Sequence, residues 1–452
     1  MAPRCLHVAV LVALAASLAC FGSLSSGAPQ SADPSSQNSA PVVAPRVRTI
    51  LVFPYENGSR NPNLDWLCEG LAELTIERLQ GPGRFILARE DRLDALERMG
   101  LPASANLSRA TMITLGEDAD ADAIVFGRFT SDGKTISLTA RALQLAPPSL
   151  SASFSAMSAL PDVLNAHLQL SGSLLCTISP EACHSGAPPP DFFAPERPPS
   201  RLDAVRQYIR GLEDSNDDDR IADLRDAARL EADWDAPAFA LGVAFYRRHD
   251  CELVLAWLSR VPPGRPHGAE AGFDAGVCHL LGHDPVRAES AFEAVLQQPR
   301  PGSETPPDSP EARNNLGVAQ AELGKATDAI SQFEKAAQVE ASTANFWFNL
   351  GLAQFLAGRA TESLASLQRA AQLTPQDSGI RSAADEIQRA SAGGAGSPPN
   401  QASFVARMRV SERFDRTWLR PTAEPASARD ASSPGRARFE VSQHQRRMGE
   451  SR

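Results

Sequence analysis

Seven cysteines in 452 residues are too few for a scaffold built on disulfides. Positive charge is also in short supply: 44 lysines and arginines face 54 acidic residues, for a net charge of -10. That balance excludes a general nucleic-acid binder, because phosphate binding needs a basic face. After the first thirty residues no apolar run approaches the roughly 18 residues of a membrane-crossing helix. No glycine loop for phosphates, no nucleophile elbow and no two-histidine metalloprotease helix occurs, so the sequence points to no catalytic residue, no metal and no cofactor. What remains is ordinary globular material, 42% apolar, in a chain long enough for two or three domains.

Residues 1–28 have the pattern of an export signal: Arg4, an apolar run from Val8 to Leu18, then small residues from Ser23 to Ala28. Ser17-Leu18-Ala19-Cys20 resembles a bacterial lipobox, with Ser17 where leucine is usual. Cys20 is therefore either a lipid attachment point or part of a discarded leader. Both readings place the protein in the periplasm or cell envelope, tethered at most by lipid. Residues 29–45 are Ser, Pro, Ala and Gln with few large apolar side chains, which is the composition of a disordered tether.

Residues 46–185 read as an α/β domain. VRTILVFP (47–54) is an apolar run suited to a strand covered on both faces, and Leu67, Leu71 and Leu74 then recur at helical spacing. Further strands are expected at 84–87 and 123–129, helices at 91–99, 108–115 and 160–178, and an edge strand at 151–158. Asp132-Gly133 marks a hairpin turn before the alternating Ile136, Leu138, Ala140 and Ala142. FPYENGSRNPNLDWLCEGLAELTIERL, FILAREDRLDALE and ADADAIVFGRF together resemble the amino-terminal domain of TolB-like, FlgO-like and curli-pore-like envelope proteins. The resemblance implies envelope binding or assembly, and the chain lacks the long apolar hairpins a pore would insert. Cys176 and Cys183 end this domain close enough in sequence for a disulfide in an oxidising compartment, the alternative being two free thiols. GAPPPDFFAPERPPS (186–200) is a stiff proline-rich linker.

Over 201–390 the chain turns helical and repetitive. NNLGVAQAELGKATDAISQFEKAAQ is followed by FNLGLAQFLAGRATESLASLQRAAQ, at a period of about 34 residues, and the pair resembles tetratricopeptide repeats. Five hairpins with a capping helix are expected, giving an α/β domain followed by an all-α solenoid. The resemblance implies that Asn345, Phe348, Leu352, Phe355 and Leu356 face the groove in the fifth hairpin, and Glu270, Phe273, Val277, Leu280 and Leu281 in the third. An apolar lining suits a protein or peptide with an apolar segment, although the same side chains equally suit packing between hairpins. The Asn and Lys clamp of chaperone-binding relatives is unmatched, since Val318 and Leu352 stand at its asparagine position.

His279 and His283, beside Cys278, have a spacing compatible with a metal but no fixed acidic partner, and read as solvated. Cys278 and Cys251 lie in neighbouring hairpins and can pair instead. Residues 391–452 form an Arg-rich tail without sustained periodicity, expected to be disordered. Its apolar points, Phe404, Val405, Phe414 and Trp418, offer a docking segment that the groove itself can receive. The sequence thus favours a non-catalytic exported adaptor. The alternative is an envelope enzyme or ligand sensor with its site near Asn57 to Asn63, Arg89 and Arg128.

Overall fold

The structure, a computed structural model, describes residues 48–420 except 60, 104, 106, 194–198, 300–307 and 393–399. The export signal, Cys20, the tether, the middle of the proline linker and the tail beyond 420 lie outside the described residues. The apolar run at the start becomes β1 (Arg48–Val52), followed by the short β2 (Glu56–Asn57) and α1 (Trp66–Leu79). After them come β3 (Arg84–Ile86), α2 (Arg89–Arg98), α3 (Arg109–Asp118) and β4 (Ala123–Ser131). β5 (Thr135–Leu145), β6 (Pro148–Leu150), β7 (Phe154–Ala159) and α4 (Val163–Ile178) complete the α/β part.

The sheet runs β3-β1-β4-β5-β6, with β2 beside β4 and β7 beside β5. β1 lies between two parallel neighbours, which is why its residues are apolar without alternation. Ile50 and Val52 pack with α1 and α4 on one face, while Leu51 and Phe53 pack with α2 and α3 on the other. β4 and β5 are antiparallel, and the Asp132 carboxylate closes their turn by accepting from the main-chain N–H groups of Lys134 (2.8 Å) and Thr135 (2.7 Å).

The helical part is five hairpins: α5 (Leu202–Glu213) with α6 (Asp217–Leu230), α7 (Asp235–Arg247) with α8 (Cys251–Leu258), α9 (Gly268–Leu281) with α10 (Pro285–Gln297), α11 (Pro310–Glu322) with α12 (Ala326–Val339), and α13 (Ala344–Leu356) with α14 (Ala360–Leu373). α15 (Ser378–Ser391) covers the end through Ile380, Ala383 and Ile387. Close approach within a hairpin explains its first-helix glycine. A Cβ on Gly242, Gly276, Gly317 or Gly351 would fall 2.1 Å from Leu258, 2.7 Å from Phe292, 2.7 Å from Phe333 or 2.8 Å from Leu367. The turn after the first helix needs a left-handed residue. Gly324 and Gly358 supply it in the last two hairpins, and His249 (φ 57°) and His283 (φ 56°) in the second and third. His283 is thus a turn residue, and among the described residues no group of His, Cys, Asp and Glu is arranged to hold a metal.

The proline-rich stretch is a boundary in sequence but not in the core. The buried cluster that contains Ile50 and Leu71 continues through Leu224, Trp234 and Phe245. Trp234 stacks edge-on against Tyr208 with ring centroids 4.7 Å apart, and its indole N–H donates to Glu77 of α1 at 2.9 Å. The sheet and the hairpin stack are therefore packed as one body. Cys176 is bonded to Cys183 (S–S 2.03 Å) and Cys251 to Cys278 (2.20 Å), while Cys68 is free.

Candidate peptide groove

The groove of the hairpin stack holds part of the chain's own tail. Over 400–420 the tail is not without structure, as its composition suggested: α16 (Gln401–Val405) is followed by an irregular stretch and a short helical turn at Arg416–Leu419. The expectation failed because periodicity reports on segments that pack themselves, whereas this one is ordered by what it lies against.

Each groove residue named from the sequence has a definite place. Phe355 meets Phe404 of the tail with ring centroids 5.0 Å apart, and Phe273 meets Phe414 at 5.3 Å. The Arg409 guanidinium lies 4.3 Å from the centre of the Phe348 ring, and its Nη1 donates to Asn345 Oδ1 at 2.8 Å. Val277 and Leu352 are fully buried in the cluster that also takes in Phe404 and Met408, and Leu356 packs on its margin. Leu281, by contrast, is exposed. At the far end of the tail, Leu419 and not Trp418 is the inserted side chain, joining Phe85, Leu87 and Ala269.

What fixes the tail's register is polar. Asn349 accepts from the main-chain N–H of Arg409 (2.9 Å) and donates to its carbonyl (2.8 Å). Asn315, at the corresponding place in the preceding hairpin, accepts from Ser411 N–H (2.7 Å) and donates to Ser411 carbonyl (2.8 Å). Asn314 joins the two, donating to the Arg409 carbonyl (2.9 Å) and accepting from Asn349 (2.8 Å). All three asparagines are wholly buried. Further along, the Tyr246 hydroxyl donates to the Glu412 carbonyl at 2.7 Å. The tail therefore runs from the fifth hairpin back towards the second, opposite to the direction of the array.

Acidic groups flank the same path. Asp377 takes Arg409 at 2.7 Å, Glu386 takes Arg407 at 2.9 Å, and Glu270 takes Arg416 at 2.5 Å. The hydrogen bond from Arg409 holds the Asp377 carboxyl below its ordinary range. Burial pushes Glu270 up, but the Arg416 charge and His267 outweigh it and leave the carboxyl depressed. Asp274 stands in the third hairpin where Asn315 and Asn349 stand in theirs. Burial first, and Glu270 next, raise its carboxyl well above the usual range.

The sequence named the aromatic lining but missed the asparagines. A signal was present: Asn is a poor helix former, yet it recurs before Leu-Gly in both clear repeats, at Asn315 and Asn349. Among the described residues the other candidate site is brought together only in part. Arg89 pairs with Glu69 at 3.2 Å, while Arg128 lies over Gly58 and faces Glu56 at 3.8 Å. Gly58, Thr130 and Asp132 line an open depression of about 500 Å³.

A family model described as tetratricopeptide repeat matches residues 282–345 and again 315–378, so this part of the chain is made of such repeats. No curated protein matches the chain. Among solved structures it is similar to YrrB, "a TPR protein with an unusual peptide-binding site", at 16% identity over 41% of this chain and 92% of that one, with a TM-score of 0.36. It is also similar to MamA 41-end from Desulfovibrio magneticus RS-1, at 18% identity over 39% of this chain and 96% of that one, TM-score 0.33. A third is the first TPR of Spaghetti (RPAP3) bound to an HSP90 peptide, at 19% identity over 28% and 94%, TM-score 0.25. The likeness of residues 46–145 to envelope proteins gains no support from these matches.

Proposed function

We propose that this protein is an exported, non-catalytic interaction adaptor whose repeat groove binds a peptide segment of another protein, and that residues 400–420 occupy the groove until such a segment replaces them. The observation that carries this reading is the pair of asparagines, Asn315 and Asn349, each holding both main-chain polar groups of one tail residue. Contacts of that kind ask of the residue held only a main-chain N–H and carbonyl, so they serve any segment that enters in the same register without proline at those two places. A tethered tail acts at an effective concentration on the order of millimolar, so a free segment with equal contacts competes poorly unless the tail is loosened. Action outside the cytoplasm, in the periplasm or cell envelope, is supported by the pattern of residues 1–28 and by two disulfides, which persist in oxidising compartments. Lipid attachment at Cys20 would tether it there. Among the described residues no helix is long and apolar enough to cross a membrane.

The test uses full-length protein and a labelled synthetic peptide of residues 402–420. Replacing Phe404 and Phe414 by alanine removes two of the tail's apolar anchors without touching the groove. That double variant is expected to bind the peptide at least tenfold more tightly than the wild type, whose groove is already filled. Failure of both proteins to bind, with circular dichroism unchanged, would remove the reading.

A further inference from the structure

The tail contacts extend past the repeats to the α/β part. Arg416 Nη1 lies 2.5 Å from Glu270 of α9, and its Nη2 lies 4.0 Å from Asp91 of α2. Arg420 Nη2 then lies 3.3 Å from the other oxygen of Asp91. Asp91 is itself fixed, because its Oδ2 accepts from the main-chain N–H of Ala88 at 2.9 Å and so closes the first turn of α2. Both carboxylates are largely shielded from solvent, with side-chain exposures of 8% for Asp91 and 18% for Glu270. An arginine arriving here therefore meets an orientated acceptor pair in a weakly screened setting. Leu419 enters the apolar cluster alongside, between the α/β part and Ala269.

We infer that the recognition site is composite, made by the repeat groove together with Asp91 of the α/β part, and that it selects an arginine-bearing segment with an aromatic side chain two residues before one arginine and a second arginine four residues beyond it. This inference rests on the peptide-binding reading above and adds the ligand's chemistry. The spacing is that of Phe414, Arg416 and Arg420. Phe414 seats on Phe273, Arg416 bridges Glu270 and Asp91, and Arg420 takes the remaining oxygen of Asp91. The asparagines supply binding that is blind to sequence, and the carboxylates supply the choice. An apolar segment without arginines would fill the groove but leave two shielded carboxylates without their arginine partners, at a cost that a matching segment avoids. The apolar segment expected from the lining thereby gains two arginines at a fixed spacing from an aromatic side chain.

The experiment takes the full-length protein with Phe404→Ala and Phe414→Ala and measures three peptides of residues 402–420. These are the native sequence, one with Arg416→Gln and Arg420→Gln, and one with Arg413→Gln as a control at an exposed position. The paired glutamine peptide is expected to bind at least tenfold more weakly than the native one, with the control unchanged. Adding Glu270→Gln and Asp91→Asn to the protein is expected to erase that difference. Equal binding of native and paired-glutamine peptides would overturn the composite site while leaving the peptide groove standing. If no peptide binds, the peptide reading fails and this inference falls with it. A second measurement needs no added peptide: hydrogen exchange of residues 404–414 in full-length Arg416→Gln, Arg420→Gln protein is expected to quicken at least tenfold, and unchanged exchange would count against the inference.

Discussion

Asn349 holds Arg409 by both of its main-chain polar groups, accepting from the N–H at 2.9 Å and donating to the carbonyl at 2.8 Å. Replacing Asn349 by alanine leaves these two groups with fewer partners in a water-poor site, at roughly 1–3 kcal/mol for each group left unsatisfied. Hydrogen exchange across residues 404–414 should accelerate by tenfold or more while the hairpins keep their protection. Unaltered exchange in the tail would show that the asparagine is not what holds it.

The first helix of each hairpin can approach the second only because it carries glycine. A Cβ at Gly351 would stand 2.8 Å from Leu367 Cγ and 3.1 Å from the Ser363 carbonyl. Gly351→Ala is expected to cost about 1–3 kcal/mol, the range for overfilling a packed core. Because part of that strain is against Leu367, the double variant with Leu367→Ala should be less destabilised than the sum of the two single changes. Urea unfolding of the four proteins measures this, and strict additivity would contradict the contact.

Glu77 couples the α/β part to the repeats and makes their union sensitive to pH. Burial, then the Asp235 charge, push its carboxyl from the ordinary 4.5 up to about 7, against the pull of Trp234, Arg265 and Arg78. A carboxyl raised in the folded state binds its proton more tightly there, so stability is greater on the acid side and falls as pH rises from about 4.5 through about 7. Glu73, pushed up to about 8 chiefly by burial and Glu69, adds a slope of the same sign. Glu77→Gln keeps an acceptor for the Trp234 indole but cannot ionise. Its melting temperature should fall less between pH 5 and pH 8 than that of the wild type, and identical slopes would refute the assignment. Asp377 has the opposite sign: its depressed carboxyl supports tail docking above the ordinary carboxylate range, and that support is lost as pH drops through its folded value.

Protein recovered from an oxidising compartment should carry both bridges. With the leader removed, alkylation under denaturing conditions should label one thiol, Cys68, before reduction and five after it. Free thiols at Cys176 and Cys183 in properly exported material would argue against the bridge there.

Much of the fold was legible because its signals are local. The alternation through Ile136, Leu138, Ala140 and Ala142, the Asp132-Gly133 turn and the Leu-Gly that recurs in the first helix of the last two hairpins are all set by near neighbours in the chain. The shared core around Trp234 was not legible, since nothing near Trp234 says that its indole will face Glu77, which lies 157 residues away. The tail was half legible. Its aromatic points marked Phe404 and Phe414 as anchors, but its order depends on Asn314, Asn315 and Asn349, whose usefulness shows only once a second strand of chain is laid beside them.

The asparagines sit one hairpin apart while the residues they hold, Arg409 and Ser411, sit two apart. Each held residue must offer an N–H, and proline has none. The groove is therefore an alternate-position proline filter: proline at 409 or 411 abolishes a contact, proline at 410 removes neither, and candidate ligands can be screened on that parity before any is synthesised.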